Sequence, residues 1–286
     1  MKELIVGKEF SENIFCLSCL ETYLLLAYKQ LNIEYKHLFF KSFLPLQVIY
    51  NEVFINGKNY VTFSAVERLY DTARRLKLIE MDVYEGNRFV EFFESYDYCC
   101  IQIKPRFILD RYNIKMWRND HYILLYPPKN NAYLFLNDSP RDFAVIEHEE
   151  LMKIYDGHAV AFNIPIEINA DIQQLFLNQF MNQIPLSDGI IEPYKREINL
   201  EKLRDMIGIL KVLRRRLVAY CKLVFQFEIS ADYLNILDRY YTITEYYRLK
   251  QSYNNENLYK IINDIYLYDI NLLKNINQFI FKWRNQ

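Results

Sequence analysis

The residues of this chain best suited to covalent chemistry begin with Cys19, in the segment Asn13-Ile14-Phe15-Cys16-Leu17-Ser18-Cys19-Leu20. Ser18 is a good helix N-cap, so the pattern places the Cys19 thiol in a first helical turn, where unpaired backbone N–H groups and the macrodipole favour a thiolate. Two later residues can complete a nucleophilic set. His121 opens the apolar run His121-Tyr122-Ile123-Leu124-Leu125-Tyr126, and Asp138 closes the next one, which starts at Ala132. In an antiparallel hairpin the start of one strand lies beside the end of the next, so an imidazole at His121 gains a carboxylate at Asp138. Such a partner holds the tautomer while the other ring nitrogen takes a proton from a thiol, the chemistry of attack on an acyl carbon through a thioester. Cys16 is a rival nucleophile if the helix starts earlier. Against these stand structural readings: a small apolar cysteine in a core, and a histidine paired with a turn-forming Asp-Ser-Pro.

The elements that would position these groups are legible as patterns. Leu20, Tyr23, Leu24, Ala27 and Leu31 recur at helical spacing after Cys19, with Asn32 as a left-handed cap. A second helix is expected over Phe63 to Leu78, with Ser64 as N-cap and Glu67 completing a capping box. Short β-prone runs follow at Cys99–Lys104, Arg106–Asp110, His121–Tyr126, Ala132–Leu136, Phe143–Ile146 and His158–Asn163. Turn chemistry separates them at Pro105, at Pro127-Pro128-Lys129-Asn130-Asn131 and at Asp138-Ser139-Pro140. After Pro165 the pattern becomes helical, with a long amphipathic stretch from an Asn199 cap and further stretches over Leu234 to Lys250 and Leu258 to Trp283. The expected class is α+β, with a catalytic domain over residues 1–165 and a helical subdomain over 166–286.

On these motifs, residues 10–163 resemble the papain-like cysteine fold, and more narrowly the family of the butirosin-biosynthesis acyltransferase N-terminal domain and the bacteriocin-processing cysteine peptidases. Cys19 and Leu24, five positions apart, match the family's Cys-to-Leu spacing, and Asn32 stands where its helix-ending glycine would. His121 to Tyr126 followed by Asp138-Ser139-Pro140 matches its "His, strand, turn, strand, Asp-Pro" block. Cys16-Leu17-Ser18-Cys19-Leu20 is also similar to the papain-type Cys-Gly-Ser-Cys-Trp, with Asn13 in the place of the oxyanion-hole glutamine. The chain departs from the family at Asn13, at Pro127 in place of a glycine, and at Ser139 inside Asp-Pro. The resemblance implies a papain-like fold in which Cys19 attacks, His121 is base and then acid, Asp138 orients it, and Asn13 with the Cys19 N–H stabilises the oxyanion. It also implies an amide-forming acyltransferase of specialised metabolite assembly, possessing no cofactor of its own. The donor is a phosphopantetheine thioester on an acyl or peptidyl carrier protein, and the acceptor a small-molecule amine. The cations Arg204, Lys211, Arg214, Arg215, Arg216 and Lys222 surround one helix; Arg214 and Arg215 are candidates for docking an acidic carrier, the plain alternative being a solvated face. Other readings are a cysteine peptidase or amidohydrolase, and a non-catalytic carrier-binding or immunity module.

Composition limits the remaining classes. The six glycines all lie too far apart for a dinucleotide fingerprint or a P-loop, and a net charge of -1 argues against nucleic-acid binding. No apolar run of membrane-spanning length and no signal-peptide pattern is present, and the five cysteines form an odd set, so a reduced cytoplasmic protein is expected. Glu147-His148-Glu149-Glu150 reads as a helix start in which the acids serve the dipole rather than a metal site. Asp110 is a weaker site candidate, and His37 and His158 have no patterned partners.

Overall fold

The structure, a computed structural model, describes residues 16–33, 35, 38–39, 42, 44–59, 68–86, 89–115, 120–165, 198–230 and 232–284. Its elements run α1 (Cys19–Gln30), α2 (Leu46–Tyr50) continuing into a π-helical turn (Asn51–Ile55), α3 (Leu69–Arg75), β1 (Glu80–Glu85), a 3-10 helix (Phe89–Glu94), β2 (Tyr98–Ile103) and α4 (Pro105–Tyr112). There follow β3 (His121–Leu125), β4 (Ala132–Asp138), β5 (Arg141–Glu147), α5 (His148–Ile154), β6 (Tyr155–Asn163), α6 (Leu200–Phe225), α7 (Asp232–Lys250) and α8 (Asn255–Arg284). The class is α+β, an antiparallel sheet with helices followed by a helical C-terminal region.

The chain divides into two compact units. One contains Leu17–Tyr35 and the described part of Leu69–Ile168; the other contains Cys16 and the described parts of Lys36–Arg68 and Asn169–Gln286.

In the first unit six strands form one antiparallel sheet in the order β1-β6-β2-β3-β4-β5. One face buries Cys99, Ile101, Ile123, Leu125 and Phe135 with Phe89 of the 3-10 helix, Ile108 of α4 and Leu151 of α5. Helix α1 packs on the other face against β3 and β4. All six residues of β2 are buried, as a strand covered on both faces must be. Tyr23 to Tyr28 are buried without a break, so α1 is a core helix rather than a surface one. A full capping box starts it: Ser18 N–H donates to Glu21 Oε2 at 2.9 Å and Glu21 N–H to Ser18 Oγ at 3.4 Å. Asn32, at φ 56°, ends it, with its N–H on Lys29 C=O and that of Ile33 on Tyr28 C=O, a Schellman closure built on asparagine. The β3–β4 hairpin solves its lack of glycine in the same way. Asn130 and Asn131 both take positive φ, and Lys129 and Ala132 exchange two backbone hydrogen bonds around them, a type I′ turn.

Two local expectations need correction. The run Arg106–Asp110 is helical, because Pro105 occupies the first helical position, where its fixed φ is favourable and its missing N–H costs nothing. Strand β1 is an element that the pattern of Glu80–Glu85 does not announce: only Met81 is buried. The helix expected over Phe63 to Leu78 is described from Leu69 to Arg75, and Ser64 and Glu67 lie outside the described residues.

The second unit is built on α6, capped by Asn199, whose side chain accepts from Lys202 N–H at 3.0 Å. Helices α7, α8 and α2 pack against it. Arg214 is wholly buried at 0% exposure and donates to Asp269 Oδ1 at 2.6 Å, Asp269 Oδ2 at 2.8 Å, and the carbonyls of Ser42 and Leu44 at 2.7 Å each. Tyr233 adds a hydrogen bond to Asp269 at 2.9 Å. The expected carrier-docking role of Arg214 is therefore corrected: its guanidinium ties α6 to α8 and to the segment before α2, and no part of it faces solvent. Among the described residues, no helix is long and apolar enough to cross a membrane.

Removing one member of a buried ion pair leaves the other charge uncompensated, so Arg214→Met is expected to lower stability by about 3–5 kcal/mol in urea denaturation. A near-neutral effect would return Arg214 to the surface. A second expectation concerns alkali. Burial pushes the thiols of Cys99 and Cys221 from the ordinary 9.0 up to about 12, and buried Tyr28 moves upward for the same reason. Unfolded thiols lose protons from about pH 9 while folded ones hold them to about 12, so in that window the unfolded state binds fewer protons and stability falls as pH rises. The urea midpoint should therefore be lower at about pH 10.5 than at about pH 8.

Candidate active site

Cys19 is the first residue of α1, and Ser18 at φ -74° and ψ 165° fixes that start, which leaves Cys16 outside the first turn. One turn further along the same helix face stands Tyr23. Its hydroxyl donates to the Tyr122 carbonyl at 2.9 Å and to Asp138 Oδ1 at 3.4 Å, and accepts from the Asp138 N–H at 3.2 Å. This anchors the cysteine helix to the start of β3 and the end of β4. Glu21, buried between Cys19 and Tyr23, uses Oε2 for the capping box and Oε1 to accept the Leu69 N–H at 3.0 Å, which also fixes the start of α3.

The Cys19 thiol is pushed from 9.0 up to about 12, chiefly by burial and then by the negative charge of Asp138. Backbone N–H groups of Tyr122, Leu20 and Cys19 face the sulfur and act in the opposite direction, favouring the thiolate. The sulfur thus has amide donors at hand for a developing negative charge, yet holds its proton until a base removes it.

His121 is 4% exposed. Its Nε2 lies 2.5 Å from Asn137 Oδ1 and 3.8 Å from Asp138 Oδ1. Asn137 is itself fully buried, and its Nδ2 donates to the Pro140 carbonyl at 2.6 Å. Because that carbonyl only accepts, the amide nitrogen must point to Pro140 and the amide oxygen to the ring, which makes Nε2 the protonated nitrogen and Nδ1 the basic one. Burial raises the Asp138 carboxyl above its usual range against the opposing pull of His121, two backbone amides and Tyr23.

His121 and Asp138 are thus neighbours at one end of the β3–β4 hairpin, and Asp138 is close enough to Cys19 to act on its charge. The residue the sequence reading missed is Asn137. Ladder pairs Leu124↔Leu136 and Leu125↔Phe135 put β3 and β4 in an antiparallel register in which odd residues face the core of Ile123 and Phe135 and even residues face α1. His121 and Asn137 share the odd face; Asp138 is even and reaches Tyr23. The signal available was parity, since a histidine at an odd position points with the odd neighbour across the hairpin.

The other candidates fall elsewhere. Asn13 lies outside the described residues. Arg215 belongs to the second unit, where its side chain is 41% exposed and paired with Asp238. Asp110 pairs with Arg106 on the exposed side of α4. His158 stands 3.8 Å from Glu85. Glu147 occupies the N-cap position of α5 without a side-chain cap hydrogen bond, with Glu149 and Glu150 in the first turn and His148 against Tyr133. Among the described residues, no group of three or more histidines, cysteines or acids could hold a metal ion.

No protein-family model matches the chain, and no curated protein matches it. Similar solved structures include the peptidase domain of Streptococcus ComA, a bi-functional ABC transporter involved in a quorum sensing pathway, at 15% identity and a TM-score of 0.25. That likeness covers 34% of this chain and 64% of that one, so the chain spans somewhat less than two thirds of the domain. The peptidase domain of Streptococcus mutans ComA in complex with a small-molecule inhibitor is similar at 17% identity and a TM-score of 0.24, covering 33% of this chain and 70% of that one.

The two hairpin-end residues can be separated by stability. Asn137→Ala leaves the buried His121 N–H without its acceptor and is expected to cost about 1–3 kcal/mol in urea denaturation. Asp138→Asn keeps an oxygen for Tyr23 and removes a carboxyl whose charge burial already disfavours, so it should cost less. A larger loss for Asp138→Asn would overturn the assignment of Asn137 as the ring's anchor.

Proposed function

We propose that this protein is a papain-like cysteine enzyme acting on acyl groups, with Cys19 as nucleophile and His121 as base. The observation that carries the reading is the hydrogen-bonded chain from the Pro140 carbonyl through Asn137 to His121 Nε2. It fixes the tautomer of a buried imidazole at the hairpin end where Tyr23 anchors the cysteine helix, and Nδ1 is the nitrogen we assign to the thiol proton. A thiol at about 12 needs that base, because little thiolate exists at neutral pH without it. In the cycle the thiol proton passes to Nδ1 as sulfur bonds to the acyl carbon. The leaving group departs with that proton, and a second nucleophile releases the acyl group by the reverse steps. Amide N–H groups of Cys19, Leu20 and Tyr122 are placed to support negative charge next to the sulfur, and Asn13 is assigned to the oxyanion by resemblance.

The finer reading keeps the amide-forming transfer: the donor is a thioester borne on a carrier protein, the acceptor a small-molecule amine, and the compartment the cytoplasm. The sequence resemblance supports it, and five free cysteines fit a reducing compartment. Arg214 no longer supports carrier docking, and Arg215 alone of that pair remains a candidate.

The test is intact-mass spectrometry after incubation with an acyl-N-acetylcysteamine thioester. An adduct is expected in the natural protein and in Cys16→Ala and none in Cys19→Ala, while Asn137→Ala should form it about 10²-fold more slowly. Adding a primary amine should discharge the adduct to an amide faster than water does; discharge by water alone would make the enzyme a hydrolase. An adduct that survives in Cys19→Ala removes the reading.

A further inference from the structure

The second unit contains a cavity of about 550 Å³ lined by Cys16, Asn59, Tyr241 and one face of α6. That volume lies in the range of small-molecule sites. The α6 lining residues Arg204, Gly208, Lys211, Val212 and Arg215 recur at helical spacing, so they form a single stripe about 16 Å long. Gly208, having no side chain, leaves the middle of that stripe open.

The two ends of the stripe differ in charge. At one end Arg204 faces Glu201 at 3.0 Å, Asp205 at 3.5 Å and Glu245 at 3.4 Å, one cation among three acids. At the other, Lys211 and Arg215 share the single carboxylate of Asp238, at 2.7 Å and 2.9 Å, so two cations meet one anion. Although partial burial acts upward on Asp238, hydrogen bonding and charge from Lys211 and Arg215 hold its carboxyl below the usual range. Lys211 is further committed to the face of Tyr241 at 4.4 Å. Arg215 spends Nη2 on both oxygens of Asp238 and turns Nη1 toward Cys16 Sγ at 4.0 Å. The wall at that point is held in place: Arg216 Nη2 donates to the Cys16 carbonyl at 3.0 Å, and Cys16 sits at φ 49°, a conformation that a non-glycine residue keeps only where its surroundings enforce it.

We propose that this cavity binds a small molecule carrying an oxyanion, a carboxylate or a phosphate, seated on the Nη1 edge of Arg215 beside the Cys16 thiol. A guanidinium pre-positioned by a carboxylate and facing a cavity offers such a group a charge-assisted N–H from Nη1 without first having to order its own side chain. The body of the ligand runs along α6 over Gly208, and its far end meets the acidic surroundings of Arg204. This site is independent of Cys19 chemistry.

Cys16 supplies the reporter. The full chain is treated separately with iodoacetate and iodoacetamide, and the alkylation rate at Cys16 is read by peptide mass spectrometry. Both reagents need the thiolate, so the ratio of the two rates cancels its population and reports how the site treats a carboxylate. The ratio at Cys16 is expected to exceed that of N-acetylcysteine amide by roughly three- to tenfold. It should fall to the reference value in Arg215→Gln, and also in the natural protein in concentrated salt, which serves if the variant folds poorly. A ratio equal to the reference in the natural protein, or one unchanged in Arg215→Gln, overturns the proposal. No alkylation by either reagent overturns it too, since the cavity would then admit not even a two-carbon carboxylate. Adduct formation at Cys19 in the natural protein, read with the acyl-N-acetylcysteamine thioester, tests the first unit separately, so failure of this site and failure of that reading are distinguishable.

Discussion

A single phenol hydroxyl joins the helix that carries the cysteine to the strand ends that carry the histidine. Tyr23 is fully buried, and its oxygen makes three contacts, one to the Tyr122 carbonyl and two to Asp138. Each of those groups is next in sequence to a member of the proposed relay: Tyr122 follows His121, and Asp138 follows Asn137. A hydroxyl can donate its one proton to the carbonyl and accept the N–H at one point, with the carboxyl beside it, which no apolar side chain of the same volume could do. Without it the ends of β3 and β4 would bury unpaired polar groups under α1, at a cost comparable to the whole gain from seating a large apolar side chain. The position of Cys19 relative to the hairpin follows from that joint, because Cys19 and Tyr23 stand one turn apart on one helix.

The rest of the first unit keeps that joint from moving. The capping box fixes where α1 begins, so the cysteine cannot slide along the helix axis, and the second oxygen of Glu21 carries the constraint to the start of α3. On the far face of the sheet, Ile123, Leu125 and Phe135 pack with Phe89, Ile108 and Leu151, which locks the register of β3 against β4. A one-residue slip would exchange the odd and even sets and part His121 from Asn137. Apolar packing on one face thus selects which polar residue, Asn137 or Asp138, meets the imidazole on the other side of the hairpin.

Much of this was legible in the sequence where a local rule has one outcome. Ser18 reads as a helix N-cap, the spacing from Leu20 to Leu31 as a helix with one buried face, and Asn32 as a residue suited to a left-handed close. The turn after β3 was legible as a problem, since Pro127 rules out positive φ there; the solution lay three residues further on, in the Asn130-Asn131 pair. Short apolar runs were less decisive. Phe107-Ile108-Leu109 fits a strand or a helix, and Pro105 settles the matter only through its own backbone preference. Charge was least legible. Arg214 and Arg215 are adjacent and chemically identical, yet one is sealed against Asp269 and the other half open beside Cys16. Their helical phase separates them, and phase alone says which face is buried only once Asp269, far along the chain, is known to lie opposite.

Proton placement follows from the same geometry. Burial holds the proton on Cys19, and Asp138, by its charge, opposes the thiolate that the helix start favours. A resting thiolate is therefore not the form this environment selects. Asn137, a neutral partner, orients the ring without adding a second buried negative charge next to Asp138. The nearby carboxyl of Asp138 is itself disfavoured as an anion by burial, which limits its opposition to the thiolate. Under the proposed function the nucleophile stays protonated until substrate arrives, because loss of its proton becomes favourable only as negative charge moves from sulfur to an acyl oxygen.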